Sequence, residues 1–376
     1  MTKSFLIHRA SRVVKVNSGL QMPTQLQAQY TRDIGPPLGD AKTFFIMFDT
    51  GSSDFWVFSN LMGANALQIL NGTRVLYNPL DSTTAIPTGQ AMNATYFEGA
   101  YTVAIGFNDT LTIGGIEIKN QTVGAAIAAD VNNTLRYDSL PMDGIMGLTP
   151  SAPNRMVPGP ARDVMTNLFF GSSERPTASL FTACLTRTTE PDGFFTFGYI
   201  DDDLVGNSTI TYVPGLPNSW FWEVPSEYII INGNRTQRTV QNPARTTNTA
   251  SIDSGTTQIL VSDDILPLIY EPLGGIFNTT VHAWVFPANV SQMPTIVLPI
   301  GEYDIAMASE DFDFAPIDEN WIQGSFQSRG AWYNDILGDV WIKNLYAIFD
   351  LGDGKDATKR FGFVPRAPVL QHASLE

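Results

Sequence analysis

"IMFDTGSSDFWVF", residues 46–58, decides how this chain is read. Its flanks, Ile46-Met47-Phe48 and Phe55-Trp56-Val57-Phe58, are apolar and aromatic, as in strands buried within a sheet. Between them stands an ionisable Asp49, followed at once by Thr50-Gly51-Ser52-Ser53. A carboxylate buried without compensation is costly. Small hydroxyl residues around a glycine make a tight turn. A single Asp-Thr-Gly is ordinary turn chemistry and carries little weight.

The weight comes from its return. "ASIDSGTTQILV", residues 250–261, repeats the order apolar, Asp, hydroxyl, Gly, two hydroxyls, then an apolar run. Each copy is followed much later by two apolar residues and a glycine: Ile145-Met146-Gly147 in "MDGIMGLTP" and Ile336-Leu337-Gly338 in "DILGDVW". The repeat is domain-sized and too long for a solenoid. A chain that buries one carboxylate in each of two similar halves is using the two together.

Composition sets the frame. With 376 residues the chain can bury a large core and divides naturally into two domains. It is 43% hydrophobic and 16% charged, and no run approaches the roughly 18 apolar residues of a membrane span. A net charge of −15 argues against nucleic-acid binding, which needs basic patches, and suits either work in acid or simply solubility. Cys184 is the single cysteine, so no intrachain disulfide forms, and "FTACLT" reads as a buried, inert thiol. His8, His282 and His372 match no metal-ligand spacing, so no metal or cofactor is expected. The lack of disulfides leans towards a reducing compartment. Sequons at Asn71, Asn93, Asn108, Asn120, Asn132, Asn207, Asn234, Asn278 and Asn289 outweigh it and favour a secreted glycoprotein.

The start, "MTKSFLIHRASRVVKV", has no apolar leader core, so a secreted form would have lost its signal peptide. Short β-rich runs separated by Gly, Pro, Asn and Asp give a mainly-β expectation: "TVAIGF", "TLTIGGIEI", "FFTFGYI", "STITYV" and "EYIIING". Helices are expected within 161–170, after Ser262 as N-cap, and near 338–345. The domain reading is an N-terminal segment 1–25 (pro-segment remnant or first strand), a lobe 26–175, a lobe 176–366 and a tail 367–376.

On these motifs the chain resembles the pepsin-like aspartic proteases, in particular their secreted fungal branch. The resemblance spans about residues 26–366, through "FDTGSSDFWV", "ATYFEGAYTV", "TLTIGG", "MDGIMGL", "FTFGYID", "IDSGTTQILV" and "ILGDVWIKNLYAIFD" in the family's order. It implies a bilobal, mainly-β fold of two similar barrel-like lobes with a cleft between them, and an acid endopeptidase with Asp49 and Asp253 as its catalytic pair. Thr50 and Ser254 would hold the two loops together by crossed bonds. Gly51 and Gly255 would make the turns, and Ser52 and Thr256 would bond the outer carboxylate oxygens. Ser254 departs from the commoner Thr but keeps the hydroxyl. Tyr96 matches the flap tyrosine, bonded to Trp56. Phe97 departs from a usual glycine, and Glu98 at the flap tip would favour a basic side chain in the substrate. Ile145 and Thr257 complete the substrate side, with a preference for bulky apolar residues. The implied partners are protein or peptide substrates and statine-type inhibitors, acting on a monomer that is secreted or vacuolar. Two alternatives stand beside this reading: an inactive relative that binds proteins or glycans, and a zymogen whose Lys3 or Lys15 neutralises the pair.

Overall fold

The structure is a computed structural model, and it describes residues 14–15, 28–31, 42–70, 72–96, 99–130, 142–171, 175–187, 190 and 193–366. The opening stretch folds as its two chemistries demand. Thr43–Asp49 and Phe55–Phe58 are strands, and the hydroxyl-rich residues between them turn the chain. Period-two alternation sends Phe44, Ile46 and Phe48 into the main core, while Met47 packs with Trp56 and Ile145 on the opposite face.

The later apolar-apolar-Gly element explains itself in three dimensions. Gly144–Gly147 inserts between the two strands that flank the Asp49 turn, parallel to one and antiparallel to the other. Asp335–Leu337 inserts in the same way between Thr249–Ile252 and Ile259–Val261. The glycine that ends each inserted strand passes beneath the turn it supports. A Cβ on Gly147 would lie 2.4 Å from the Ser52 carbonyl oxygen, and one on Gly338 2.3 Å from that of Thr256. Only glycine fits there, so the sequence repeat is a repeat of architecture.

Around these two centres the molecule is mainly β, with two lobes. A seven-stranded sheet takes its strands from residues 28–147, and one five-stranded and two four-stranded sheets take theirs from 223–337. A six-stranded antiparallel sheet joins them, built from 14–15, 180–184, 194–197, 211–214, 345–350 and 360–365. Aromatic rings fill its contact with both lobes. Phe181 stacks on Phe349 at 4.6 Å, and Trp222 packs edge-on against both while its indole N–H donates to the Leu148 carbonyl at 2.9 Å. Cys184 is buried in this sheet, and burial raises its thiol pKa.

The expected strands all appear, and Gly114-Gly115, both at positive φ, turn "TLTIGGIEI" into a hairpin. The helices are shorter than their sequence patterns. Val164–Thr166, capped by the Asp163 carboxylate, runs on into a wide turn over Asn167–Gly171, and Asp339–Ile342 is a single turn. One expectation is corrected. Ser262 is not an N-cap, because a turn closed by Ile265 N–H on the Ser262 carbonyl delays the helix to Leu266–Tyr270. Pro267 has no N–H to lose in that first turn. Among the described residues no helix is long and apolar enough to cross a membrane.

Candidate active site

Asp49 and Asp253 are 5% and 9% exposed, and each is held by its own turn. Asp49 Oδ1 accepts the Gly51 N–H at 2.8 Å, and its Oδ2 accepts the Ser52 hydroxyl at 2.5 Å. Asp253 repeats the pattern: Oδ1 accepts the Gly255 N–H at 2.8 Å and Oδ2 the Thr256 hydroxyl at 2.7 Å. Two donors per carboxylate compensate part of the cost of burial and fix the plane of each group.

The two turns face each other across a local two-fold. A Cβ on Gly51 would stand 2.4 Å from the Asp253 Cγ, and one on Gly255 2.2 Å from Asp49 Oδ1. Each glycine is therefore the floor on which the other half's carboxylate rests, and the two carboxyls are close enough to feel one another's charge. The second residues of the motifs cross as well. Thr50 Oγ1 donates to the Ile252 carbonyl and accepts the Ser254 N–H, both at 2.9 Å. Ser254 Oγ donates to the Phe48 carbonyl at 2.7 Å and accepts the Thr50 N–H at 3.3 Å. Four buried bonds thus bind the halves directly beneath the acids.

Burial, and next the charge of Asp253, push Asp49 up to about 8 against the pull of Ser52 and the Gly51 N–H. Like charges this close cannot both ionise cheaply. Two unit charges about 3 Å apart at an effective dielectric near 20 repel by roughly 5 kcal/mol. The pair therefore holds one proton between its carboxyls over a wide range of pH, and that proton belongs to the pair.

The remaining residues singled out in the sequence lie around this centre. Tyr96 OH accepts the Trp56 indole N–H at 2.6 Å. Tyr96 opens the tip of the hairpin formed by Ile86–Thr95 and Tyr101–Ile113, and its N–H donates to the Ala100 carbonyl at 2.8 Å. Ile145, 2% exposed, packs with Trp56, Met92 and Ala94 in a cluster against which Tyr96 also rests. Thr257 is half-buried, and its carbonyl accepts the Val340 N–H at 3.0 Å, tying the second turn to the short helix Asp339–Ile342. Phe97 and Glu98 lie outside the described residues.

Sequence reasoning overlooked a third acid. Asp339 is buried, its N–H donates to the Thr256 carbonyl at 2.8 Å, and among the described residues its Oδ1 has no hydrogen-bond partner. Burial raises it well above the usual carboxylate range; Lys343 opposes this, and Asp253 and Asp49 add to it. The signal was present in the repeat, which reads Gly147-Leu148 in one half and Gly338-Asp339 in the other. Leu148 is fully buried at the matching place.

With this geometry in view, the chain can be set beside known proteins. Residues 30–357 match the family described as eukaryotic aspartyl protease. The aspartic protease pepA of Arthroderma gypseum is 30% identical over 353 residues, covering 92% of this chain and 82% of its own length. Aspergillopepsin-1 of Aspergillus fumigatus is 27% identical over 354 residues, 93% of this chain and 82% of that protein. A probable aspartic-type endopeptidase of Trichophyton verrucosum is 29% identical over 337 residues, 87% and 74% of the two chains. The duplicated turn, the inserted strands and these likenesses agree: the chain belongs to the eukaryotic aspartyl protease family and is an aspartic-type endopeptidase.

Proposed function

We propose that Asp49 and Asp253 are the catalytic pair of an endopeptidase that works in acid. The observation carrying this reading is reciprocal: each carboxylate is gripped by its own turn and rests against the glycine of the other. A water held between the two carboxyls would lose a proton to the ionised one as general base. The protonated one would polarise the scissile carbonyl, and the resulting diol would collapse as a proton passes to the leaving nitrogen. Thr50 and Ser254 keep the pair in register, Gly51 and Gly255 allow it to approach, and Ser52 and Thr256 hold the outer oxygens.

Tyr96, steadied by Trp56, closes over bound substrate, and Phe97, Glu98 and Thr257 contribute to binding it. The apolar cluster of Trp56, Met92 and Ile145 beneath the hairpin supports a preference for bulky apolar side chains beside the cut. The lobes divide near residues 175 and 176, and statine-type compounds, which mimic the diol, are the expected inhibitors of a monomeric enzyme. Exposure of the sequons Asn93, Asn120, Asn207, Asn234 and Asn289 supports passage through a secretory pathway. Digestion of a peptide library at about pH 3–5, where a carboxylate pair sharing one proton works, tests the reading. Cleavage should favour bulky apolar residues beside the cut, and the Asp253→Asn variant should be inert. A fully active Asp253→Asn enzyme would refute it.

A further inference from the structure

We propose that Asn93 carries an N-linked glycan that caps the free edge of the hairpin over the active site. The inference rests on the secretory reading given above, and it concerns a position in the fold that the activity does not use. Ile86–Thr95 is the last strand of the seven-stranded sheet, so among the described residues one of its sides has no neighbouring strand. Such an edge is a template for pairing with another extended chain unless something blunts it. Near its middle the edge is covered, because Ala91 exchanges both backbone bonds with Val157, at 3.0 and 2.9 Å. Two residues further towards the tip, alternation points the N–H and C=O of Asn93 to the same outer side. Among the described residues no backbone group meets them.

The side chain is equally open. Met92 and Ala94 turn into the apolar cluster under the hairpin, whereas Asn93 and Thr95, the two ends of an Asn-Ala-Thr sequon, are exposed. Two other sequons are less available in the fold. Asn108 accepts the Thr122 hydroxyl at 2.7 Å, and Asn278 accepts the Thr280 N–H at 2.9 Å in a closed turn. Asn93 stands three residues before Tyr96, so a sugar there hangs from the outer face of the hairpin and leaves the inner face clear. It would block a second extended chain from adding to the edge without obstructing a peptide in the cleft.

The modification balances simply. The Asn93 amide nitrogen attacks C1 of an oligosaccharide carried on a polyisoprenyl diphosphate. The C1–oxygen bond to the diphosphate breaks, the N–C1 bond forms, the amide loses one proton, and the lipid diphosphate leaves.

The full chain secreted from a eukaryotic host provides the test. Enzymatic deglycosylation in heavy-oxygen water, followed by peptide mass spectrometry, should mark Asn93 in most molecules. Asn93→Gln and Thr95→Ala should each lose one glycan and keep wild-type cleavage of a short peptide. Each should self-associate at least about threefold faster on warming, as an uncovered edge does. An unmodified Asn93 overturns the inference. If other sequons are then occupied, the secretory reading stands and only this proposal falls; if none is, both fall. Occupancy at Asn93 with unchanged association in both variants would overturn the capping role.

Discussion

At the scale of single residues, the account rests on atoms that serve both halves at once. Ser254 is such a case: its hydroxyl bonds the Phe48 carbonyl and the Thr50 N–H, both buried. Ser254→Ala should lower stability by about 1–3 kcal/mol, the cost of stranding buried polar groups, and Ser254→Thr should be close to neutral. Chemical denaturation of the two variants checks this. Asp339 makes a different prediction. Burial keeps it protonated well above the ordinary carboxylate range, so in acid the group is uncharged. Asp339→Asn preserves that uncharged state, so cleavage of a peptide at about pH 3–5 and the melting temperature in acid should both stay close to wild type. A loss of activity of more than about tenfold in acid would count against a neutral Asp339.

Which residues matter was partly legible in the sequence, and the reason is physical. An acid inside an apolar run is costly enough to stand out, and its duplication makes chance a poor explanation. The crossed hydroxyls were expected from the family resemblance, on residues standing beside each acid. Asp339 escaped notice because an aspartate directly after an expected glycine reads as a helix-start residue, although apolar residues flank it.

At the scale of elements, the decisive parts are the inserted strands and the hairpin. The glycines closing Gly144–Gly147 and Asp335–Leu337 were visible as glycines, but their purpose needs two segments far apart in sequence to be seen crossing. Gly147→Ala and Gly338→Ala each place a methyl against a carbonyl of the turn above. Each should destabilise by more than about 3 kcal/mol or prevent folding, well beyond an exposed Gly→Ala change. Expression and thermal melts give the answer. In the hairpin, Tyr96→Phe removes the acceptor of the Trp56 indole N–H. KM for a peptide should rise severalfold, and because Trp56 is fully buried the melting temperature should fall by a few degrees. The helix Ala64–Leu70 was not foreseen, since "ANALQIL" has neither a cap nor a charged face to announce it. Ser262 misled for the opposite reason, with capping chemistry placed one turn too early.

At the scale of the whole molecule, the buried acids make stability depend on pH in a definite direction. Burial raises Asp49 to about 8, Asp143 to about 6, and Asp339 well above its ordinary value. Groups that hold their protons more tightly when folded contribute stability that is complete below their unfolded value of 3.8 and is lost as pH rises through the folded one. Glu223 runs the other way. Burial would raise it, but Arg245 with the Ser219 and Thr249 hydroxyls more than reverses this. Its contribution is present above its unfolded value of 4.5 and is lost as pH falls through the folded one. The melting temperature should therefore peak in mild acid and decline between about pH 5 and 8. A steady rise towards neutrality would contradict this. The two-lobed plan itself was legible from the repeat, whereas the six-stranded sheet joining the lobes was not. Its strands come from distant stretches that share no motif, and only the packing of Phe181, Trp222 and Phe349 reveals them as one layer.

The most direct test is a double-mutant cycle in kcat/KM on one peptide in acid, using Asp49→Asn, Asp253→Asn and the pair together. Two carboxyls acting as a single unit through one shared proton predict that either change alone costs as much as both, a loss of at least about a thousandfold. Losses that add, or substantial activity left in either single variant, would contradict the account.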